Sequence, residues 1–138
     1  MLSISAKCKY GIKAVLALGE NYGRGLTQIK EIALQKQIPR QYLEQIFNRL
    51  VNAGVVNSVR GKKGGYKLAK DPNNLTILEL IEVLEGGIQL TSGTEREVDA
   101  IYNLFEKMEK KLKKDLEISL ADLIIEQQKL QETVMYHI

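Results

Sequence analysis

Val55-Val56-Asn57-Ser58-Val59-Arg60-Gly61-Lys62-Lys63-Gly64-Gly65-Tyr66-Lys67-Leu68 is the stretch in which the chain changes its period. Upstream of it apolar residues recur at helical spacing. Within it Val55, Val56 and Val59 are β-branched and favour strand. Arg60 to Gly65 is a glycine-rich turn, and Tyr66-Lys67-Leu68 reads as the returning strand. The segment therefore predicts a basic β-hairpin. It is not a phosphate-cradling P-loop, because the Gly-x4-Gly-Lys-Ser/Thr spacing is absent and a strand, not a helix, follows.

Toward the N-terminus, three helices precede the hairpin. Ser5 can cap a first helix from Ala6 to about Tyr22, with Tyr10, Ala14, Val15 and Leu18 at helical spacing. Gly23-Arg24-Gly25 ends it. Thr27 is placed to cap a second helix with Ile29, Ile32 and Ala33 on one face. Ile38-Pro39 marks a break, and Pro39 suits the first turn of a third helix from about Arg40 to Asn52. Leu43, Ile46, Phe47 and Leu50 form its apolar stripe, and Gly54 sits just past its end. Three helices and a basic hairpin are the elements of a winged helix-turn-helix. The expected fold class is thus mainly α with a small β-hairpin, followed by a long C-terminal dimerisation helix.

Toward the C-terminus, Asp71-Pro72-Asn73-Asn74 is a turn and Thr76-Ile77-Leu78-Glu79 a capping box for a fourth helix to about Leu84. Gly86-Gly87 closes it, and a loop runs to Gly93. Thr94-Glu95-Arg96-Glu97 is a second capping box, predicting a long helix to about Lys114. Its apolar residues Val98, Ile101, Phe105, Met108 and Leu112 alternate by three and four, as in a coiled-coil seam. Ser119 opens a last helix to about Leu130, and Val134 to Ile138 reads as a short terminal strand. The expected division is 1–86 for DNA binding and 87–138 for loop, dimerisation helix and tail.

The charge is divided along the same line. Residues 1–70 carry thirteen Lys and Arg against three Asp and Glu, while residues 71–138 carry seven against fourteen. A surplus of ten positive charges in the first half fits a polyanionic partner; two oppositely charged solvated surfaces are the simpler alternative. No apolar run approaches the roughly 20 residues of a membrane span, and the N-terminus lacks a signal-peptide h-region, so a soluble, cytoplasmic protein is expected.

Three groups of residues can carry function. The polar side of the third helix holds Arg40, Gln41, Tyr42, Glu44, Gln45, Asn48 and Arg49. Gln pairs with adenine, Glu accepts from cytosine and Arg pairs with guanine, so Gln41, Tyr42, Glu44 and Gln45 are candidate base readers. An ordinary solvated helix face would look the same in isolation. In the hairpin, Lys62, Lys63 and Lys67 suit phosphate and Arg60 suits a narrow minor groove; a lysine-rich surface turn is the plain alternative. The seam of the long helix requires a cover, either a second copy of the chain or the winged domain itself.

Catalysis and metal binding find little support. Cys8 and His137 are the only Cys and His and lie at opposite ends, so neither a zinc or iron–sulfur ligand set nor a nucleophile–His–carboxylate triad can be assembled. Cys8 is expected to pack in or near the first helix. No cofactor is implied.

Several strings together resemble one family. Met1-Leu2-Ser3-Ile4-Ser5, Tyr10-Gly11, Glu31-Ile32-Ala33, Tyr42-Leu43-Glu44-Gln45-Ile46, Ala53-Gly54-Val55-Val56, Ser58-Val59-Arg60-Gly61 and Gly64-Gly65-Tyr66-Lys67-Leu68 are similar to the Rrf-type winged-helix regulators, the group of IscR, NsrR and CymR. The resemblance covers about residues 1–86 and implies a homodimeric regulator of near-palindromic operators. It places base reading on Gln41, Tyr42, Glu44 and Gln45, minor-groove contact on Arg60, and phosphate contacts on Ser5, Lys7 and Tyr10. Pro39 stands where the family often has Ser, so that helix-start contact is not carried over.

Residues 86–94 depart from the cluster-binding members, which hold three cysteines there; this loop has none. The cluster-free CymR branch is the nearer analogue, also in the apolar ending Val134-Met135-Tyr136-His137-Ile138. That branch implies repression of sulfur and cysteine metabolism, with cysteine synthase as a partner enzyme. The competing reading is a protein-interaction adaptor that binds a partner enzyme and touches DNA only nonspecifically.

Overall fold

The computed structural model describes residues 2–91 and 99–137. Six helices and one hairpin follow in the order α1 (Ala6–Glu20), α2 (Ile29–Lys36), α3 (Arg40–Asn52), β1 (Val56–Val59), β2 (Gly65–Leu68), α4 (Ile77–Glu85), α5 (Ala100–Asp115) and α6 (Leu120–Tyr136), with a 3₁₀ turn at Pro72–Asn74. The helices of the first half start and stop where local chemistry demands. The Ser5 hydroxyl accepts the Cys8 N–H at 3.1 Å, satisfying one orphan donor of α1. Thr76 does the same for Glu79 N at 3.2 Å, and Gly86 closes α4 in the left-handed conformation at φ 85°.

α1 is the spine. Its Ala14, Val15, Leu16, Ala17 and Leu18 are buried, and it packs against α2, α3, α4 and α6. Leu43, Ile46, Phe47 and Leu50 of α3 are fully buried, as their 3-4 spacing predicts. Each such side chain contributes about 1.5–3 kcal/mol by leaving water. Two glycines set how closely the spine is approached. A Cβ on Gly11 would lie 2.5 Å from Leu84 Cδ1, and one on Gly19 would lie 2.8 Å from Ile124 Cδ1. The first half of α6 thus lies on α1, with Leu120 fully buried.

The hairpin pairs Val56 with Leu68, Asn57 with Lys67, Ser58 with Tyr66 and Val59 with Gly65. Val56 and Leu68 face the core, while Asn57 and Lys67 face solvent. Its base is fastened at a third place. Thr27 N donates to Tyr66 O at 2.9 Å, and Tyr66 N donates to Thr27 O at 2.8 Å. The Tyr66 ring stacks on Phe47 with centroids 4.3 Å apart.

Several sequence expectations are corrected here. Thr27 does not cap α2. Its backbone is paired with Tyr66 and its hydroxyl accepts from Asn21 Nδ2 at 3.0 Å, so Gln28 takes the cap position. α1 ends at Glu20, two residues before the expected Tyr22, and Pro39 precedes α3 as its cap residue. α5 begins at Ala100, where Asp99 Oδ1 accepts Ile101 N at 3.0 Å. The expected capping box Thr94–Glu97 and the seam residue Val98 lie outside the described residues. Val134 to Tyr136 form no strand: α6 continues through Tyr136, past the expected end at Leu130. No neighbouring strand exists there to hold an extended tail among the described residues, whereas helix satisfies the backbone locally.

A backbone junction between α5 and α6 also ties the C-terminal pair to the body. Ile77 N donates to Ile118 O at 2.9 Å, Leu78 N to Leu116 O at 2.8 Å, and Leu120 N to Leu75 O at 2.7 Å. Beyond that junction α5 is held to the preceding loop where Leu90 N donates to Glu109 Oε1 at 2.6 Å. None of its residues is buried, and Ile101, Leu104, Phe105, Met108 and Leu112 are all 41–61% exposed.

Candidate nucleic-acid interface

α3 presents its polar residues in separate directions. Leu43, Ile46, Phe47 and Leu50 point into the core, which forces Gln41, Glu44, Gln45 and Asn48 to solvent. Tyr42 leans toward α1, where its ring lies 5.6 Å from that of Tyr10. Two residues expected to touch DNA therefore meet each other, one from each helix. Arg40 and Asn48, eight residues apart and on one side of α3, face the wing across a cleft. That cleft has a volume of about 610 Å³ and also includes Lys30, Ser58 and Arg60.

The wing carries Arg60, Lys62, Lys63 and Lys67, all exposed. Gly64 N donates to Gly61 O at 3.0 Å, which closes the tip, and Gly61 takes φ 117°. A Cβ on Gly64 would lie 2.2 Å from Val59 O, so no larger residue fits. The ion pairs among the described residues join Lys36 to Glu20, Lys70 to Glu79, Lys110 to Glu106 and Lys113 to Glu109. None involves Lys30, Arg40 or the wing cations. Their charge is left to act outward.

Two residues of the sequence reading are used inside the protein. Ser5 donates from its backbone N–H and its hydroxyl to Glu85 Oε1, at 2.9 and 2.5 Å. These bonds hold the Glu85 carboxyl below the usual carboxylate range. Arg49 Nη1 donates to Leu84 O at 2.9 Å, near the end of α4. Cys8 is fully buried beneath this cluster; burial, and then the Glu85 charge, push its thiol up to about 11. Lys7 is half-buried beside it. Sequence reasoning missed Gln28, Lys30 and Ser58 as cleft residues. Only the fold brings α2 and the wing together, so no local signal marked them.

A recognition helix and a glycine-tipped cationic wing, set on one three-helix body, define a winged helix-turn-helix DNA-binding protein. The chain belongs to the Rrf2 family: the family model described as "Rrf2: Iron-dependent Transcriptional regulator" matches residues 4–126. The HTH-type transcriptional regulator CymR of Bacillus subtilis (strain 168) is 36% identical over 138 residues, covering 99% of this chain and all of that one. The solved structure of CymR (YrzC), titled the global cysteine regulator of B. subtilis, superposes with a TM-score of 0.81 at 38% identity, over 90% of this chain and 97% of that one. T. potens IscR superposes with a TM-score of 0.79 at 32% identity, over 94% and 91% of the two chains.

The family description includes iron, and the donors of this chain do not fit a thiolate-bound cluster. Cys8 is its one cysteine and is buried in α1, and residues 86–94 contain neither Cys nor His. Among the described residues no group of three His, Cys, Asp or Glu could hold a metal ion.

Proposed function

We propose that the chain is a homodimeric repressor that reads a near-palindromic operator without an iron–sulfur cluster. Residues 1–86 form its DNA-binding unit, and residues 87–138 supply the loop, dimerisation helix and tail. The observation that carries the reading is the shared face of α3 and the wing, whose cations form no ion pair among the described residues. Gln41, Tyr42, Glu44 and Gln45 read base edges, Arg60 enters the minor groove, and Lys7, Tyr10, Lys62 and Lys63 contact phosphate. Ser5 reaches a phosphate only by sharing its donors with Glu85.

Dimerisation is supported by α5. A lone 16-residue helix is marginal in water, and this one has no buried residue and leaves its apolar line exposed, the Leu90 N–H bond to Glu109 being its tie to the preceding loop. Ile101, Phe105, Met108 and Leu112 supply a continuous apolar line for the same helix of a second copy. Two copies would present two wings and two recognition helices to a two-fold symmetric site.

The whole-length similarity to CymR, titled a global cysteine regulator, supports genes of cysteine metabolism as targets; wider sulfur metabolism and a partner enzyme such as cysteine synthase are carried over from the resemblance to that branch alone. Met135 and Tyr136 on the last turn of α6 are 76% and 89% exposed, an apolar surface open to such a partner.

Selection of bound duplexes from a random pool, with sizing of the complex, tests the reading. A two-fold consensus held by two chains is expected. Glu44→Ala and Arg60→Ala should each weaken binding to it by about 1–3 kcal/mol. Equal affinity for every duplex, with steep salt dependence throughout, would favour the adaptor instead.

A further inference from the structure

The start of α1 lies beside the start of α3, where the Tyr10 and Tyr42 rings meet at 5.6 Å. Ser5 is exposed there, and the reading above gives it a phosphate. Yet both of its donors are already in use. Its backbone N–H and its hydroxyl go to one oxygen of Glu85, at 2.9 and 2.5 Å. These bonds keep the Glu85 carboxyl below the usual carboxylate range, so at neutral pH it is an anion. An anion held by two donors at the start of a helix is also how a phosphate would sit. We propose that Glu85 is an autoinhibitory latch: it occupies the phosphate seat at Ser5, operator DNA must displace it, and the 86–91 loop controls its release. The inference rests on the DNA-binding reading above and adds the regulation of one of its contacts.

Three observations give the latch two positions and a handle. First, Ser5 cannot serve both anions in full. Its hydroxyl also accepts the Cys8 N–H at 3.1 Å, which fixes the oxygen at the helix start and leaves one proton to give. Second, the released carboxylate has a partner at hand. Arg49, bonded to the Leu84 carbonyl at 2.9 Å, already attracts it. Third, Glu85 ends α4 and is followed by Gly86 and Gly87, both at positive φ with nothing packed where a side chain would stand. The chain beyond them reaches α5, where Leu90 N donates to Glu109 Oε1 at 2.6 Å. The loop is thus fastened to the start of α1 at one end and to α5 at the other. Whatever draws the loop moves Glu85 relative to Ser5, and by reciprocity DNA at Ser5 loosens the loop.

Affinities of Glu85→Gln, Ser5→Ala and the double variant for the selected operator, at one salt concentration, test the latch. Glu82→Gln, an exposed carboxylate one turn earlier on α4, controls for loss of a negative charge near DNA. A neutral amide competes less well than a carboxylate for the Ser5 donors. Glu85→Gln should therefore bind several-fold tighter than Glu82→Gln, and that advantage should vanish when Ser5 is Ala. A second measurement needs no variant: adding operator to the parent should speed hydrogen exchange at the Leu90 amide. Equal affinities for Glu85→Gln and Glu82→Gln, an advantage that survives in Ser5→Ala, or slower or unchanged exchange at Leu90 would each overturn the proposal. Should Ser5→Ala lose its helical circular dichroism, the exchange at Leu90 and the comparison of the two Gln variants decide. If the parent binds operator normally while Glu85→Gln follows its control, the latch falls and the wider reading stands. If the parent binds no duplex, both fall.

Discussion

Ser5 gives two protons to one oxygen of Glu85: its backbone N–H at 2.9 Å and its hydroxyl at 2.5 Å. The bond ties the start of α1 to the end of α4, eighty residues away in sequence. The carboxyl is held below its ordinary range chiefly by the Ser5 hydroxyl, so ionised Glu85 is the form that stabilises the fold. Because the folded value is depressed, this stabilisation is present above the ordinary carboxylate range and is lost as pH falls through the lowered value. Glu85→Gln should lower Tm by a few degrees at pH 7, since the site is exposed, and the gap to the parent should close in acid. A gap that stays constant down to pH 2 would count against the ionised bond.

Cys8 lies under the same cluster and titrates in the opposite sense. Burial is the main reason its thiol is raised to about 11, so at pH 7 it is almost wholly protonated and inert. The native chain should leave a disulfide reagent unreacted over minutes and consume one equivalent once unfolded in guanidinium. Since the folded value exceeds the unfolded one, this thiol supports the fold below about pH 9 and withdraws that support as pH climbs toward 11. Cys8→Ser should flatten the alkaline limb of the stability curve.

Where a signal is local, the sequence discloses it. Ser5, Thr76 and Ser119 are caps because the hydroxyl and the N–H it accepts are three residues apart. The buried stripe of α3 and the glycine tip of the wing are legible for the same reason. Thr27 has a cap's composition too, but Tyr66 claims its backbone from far along the chain. Arg49 looks like a DNA-facing residue until α4 brings the Leu84 carbonyl to it. The Lys30–Arg40–Arg60 cleft has no sequence signature, because three separate elements build it. Val134 to Tyr136 are β-branched or aromatic enough to read as strand; the helix prevails because no partner strand is at hand among the described residues.

The wing's position depends on Gly65. A Cβ there would lie 2.7 Å from Thr27 O, a backbone atom that cannot move without breaking the pair of bonds to Tyr66. Gly65→Ala should therefore shift the wing while sparing the core. The expected result is at least about a tenfold loss of operator affinity, equivalent to roughly 1.4 kcal/mol, with faster hydrogen exchange at the Thr27 and Tyr66 amides. Tyr66→Phe keeps the ring on Phe47 and should bind nearly as the parent does. Phe47→Ala removes the fully buried side of that stack and should cost about 3–5 kcal/mol of stability, read by urea unfolding.

The proposed two-copy binding turns on the apolar line of α5. Phe105 and Met108 sit at its middle and are 41% and 48% exposed in the single chain. A charge placed there would be buried without a partner in a two-helix seam, a cost of several kcal/mol per ion. In a single chain the same charge would sit in water at almost no cost. Phe105→Glu should thus convert a two-chain species into one chain by light scattering, with the circular dichroism of the winged domain retained. Operator binding should fall far more than half-site binding, because losing the second copy removes the effective concentration that a paired site supplies. Lys111→Glu, on exposed α5 surface outside the 101–105–108–112 line, should leave the assembly intact. If Phe105→Glu remains a dimer, or if the parent is already one chain at micromolar concentration, the seam belongs to some other contact.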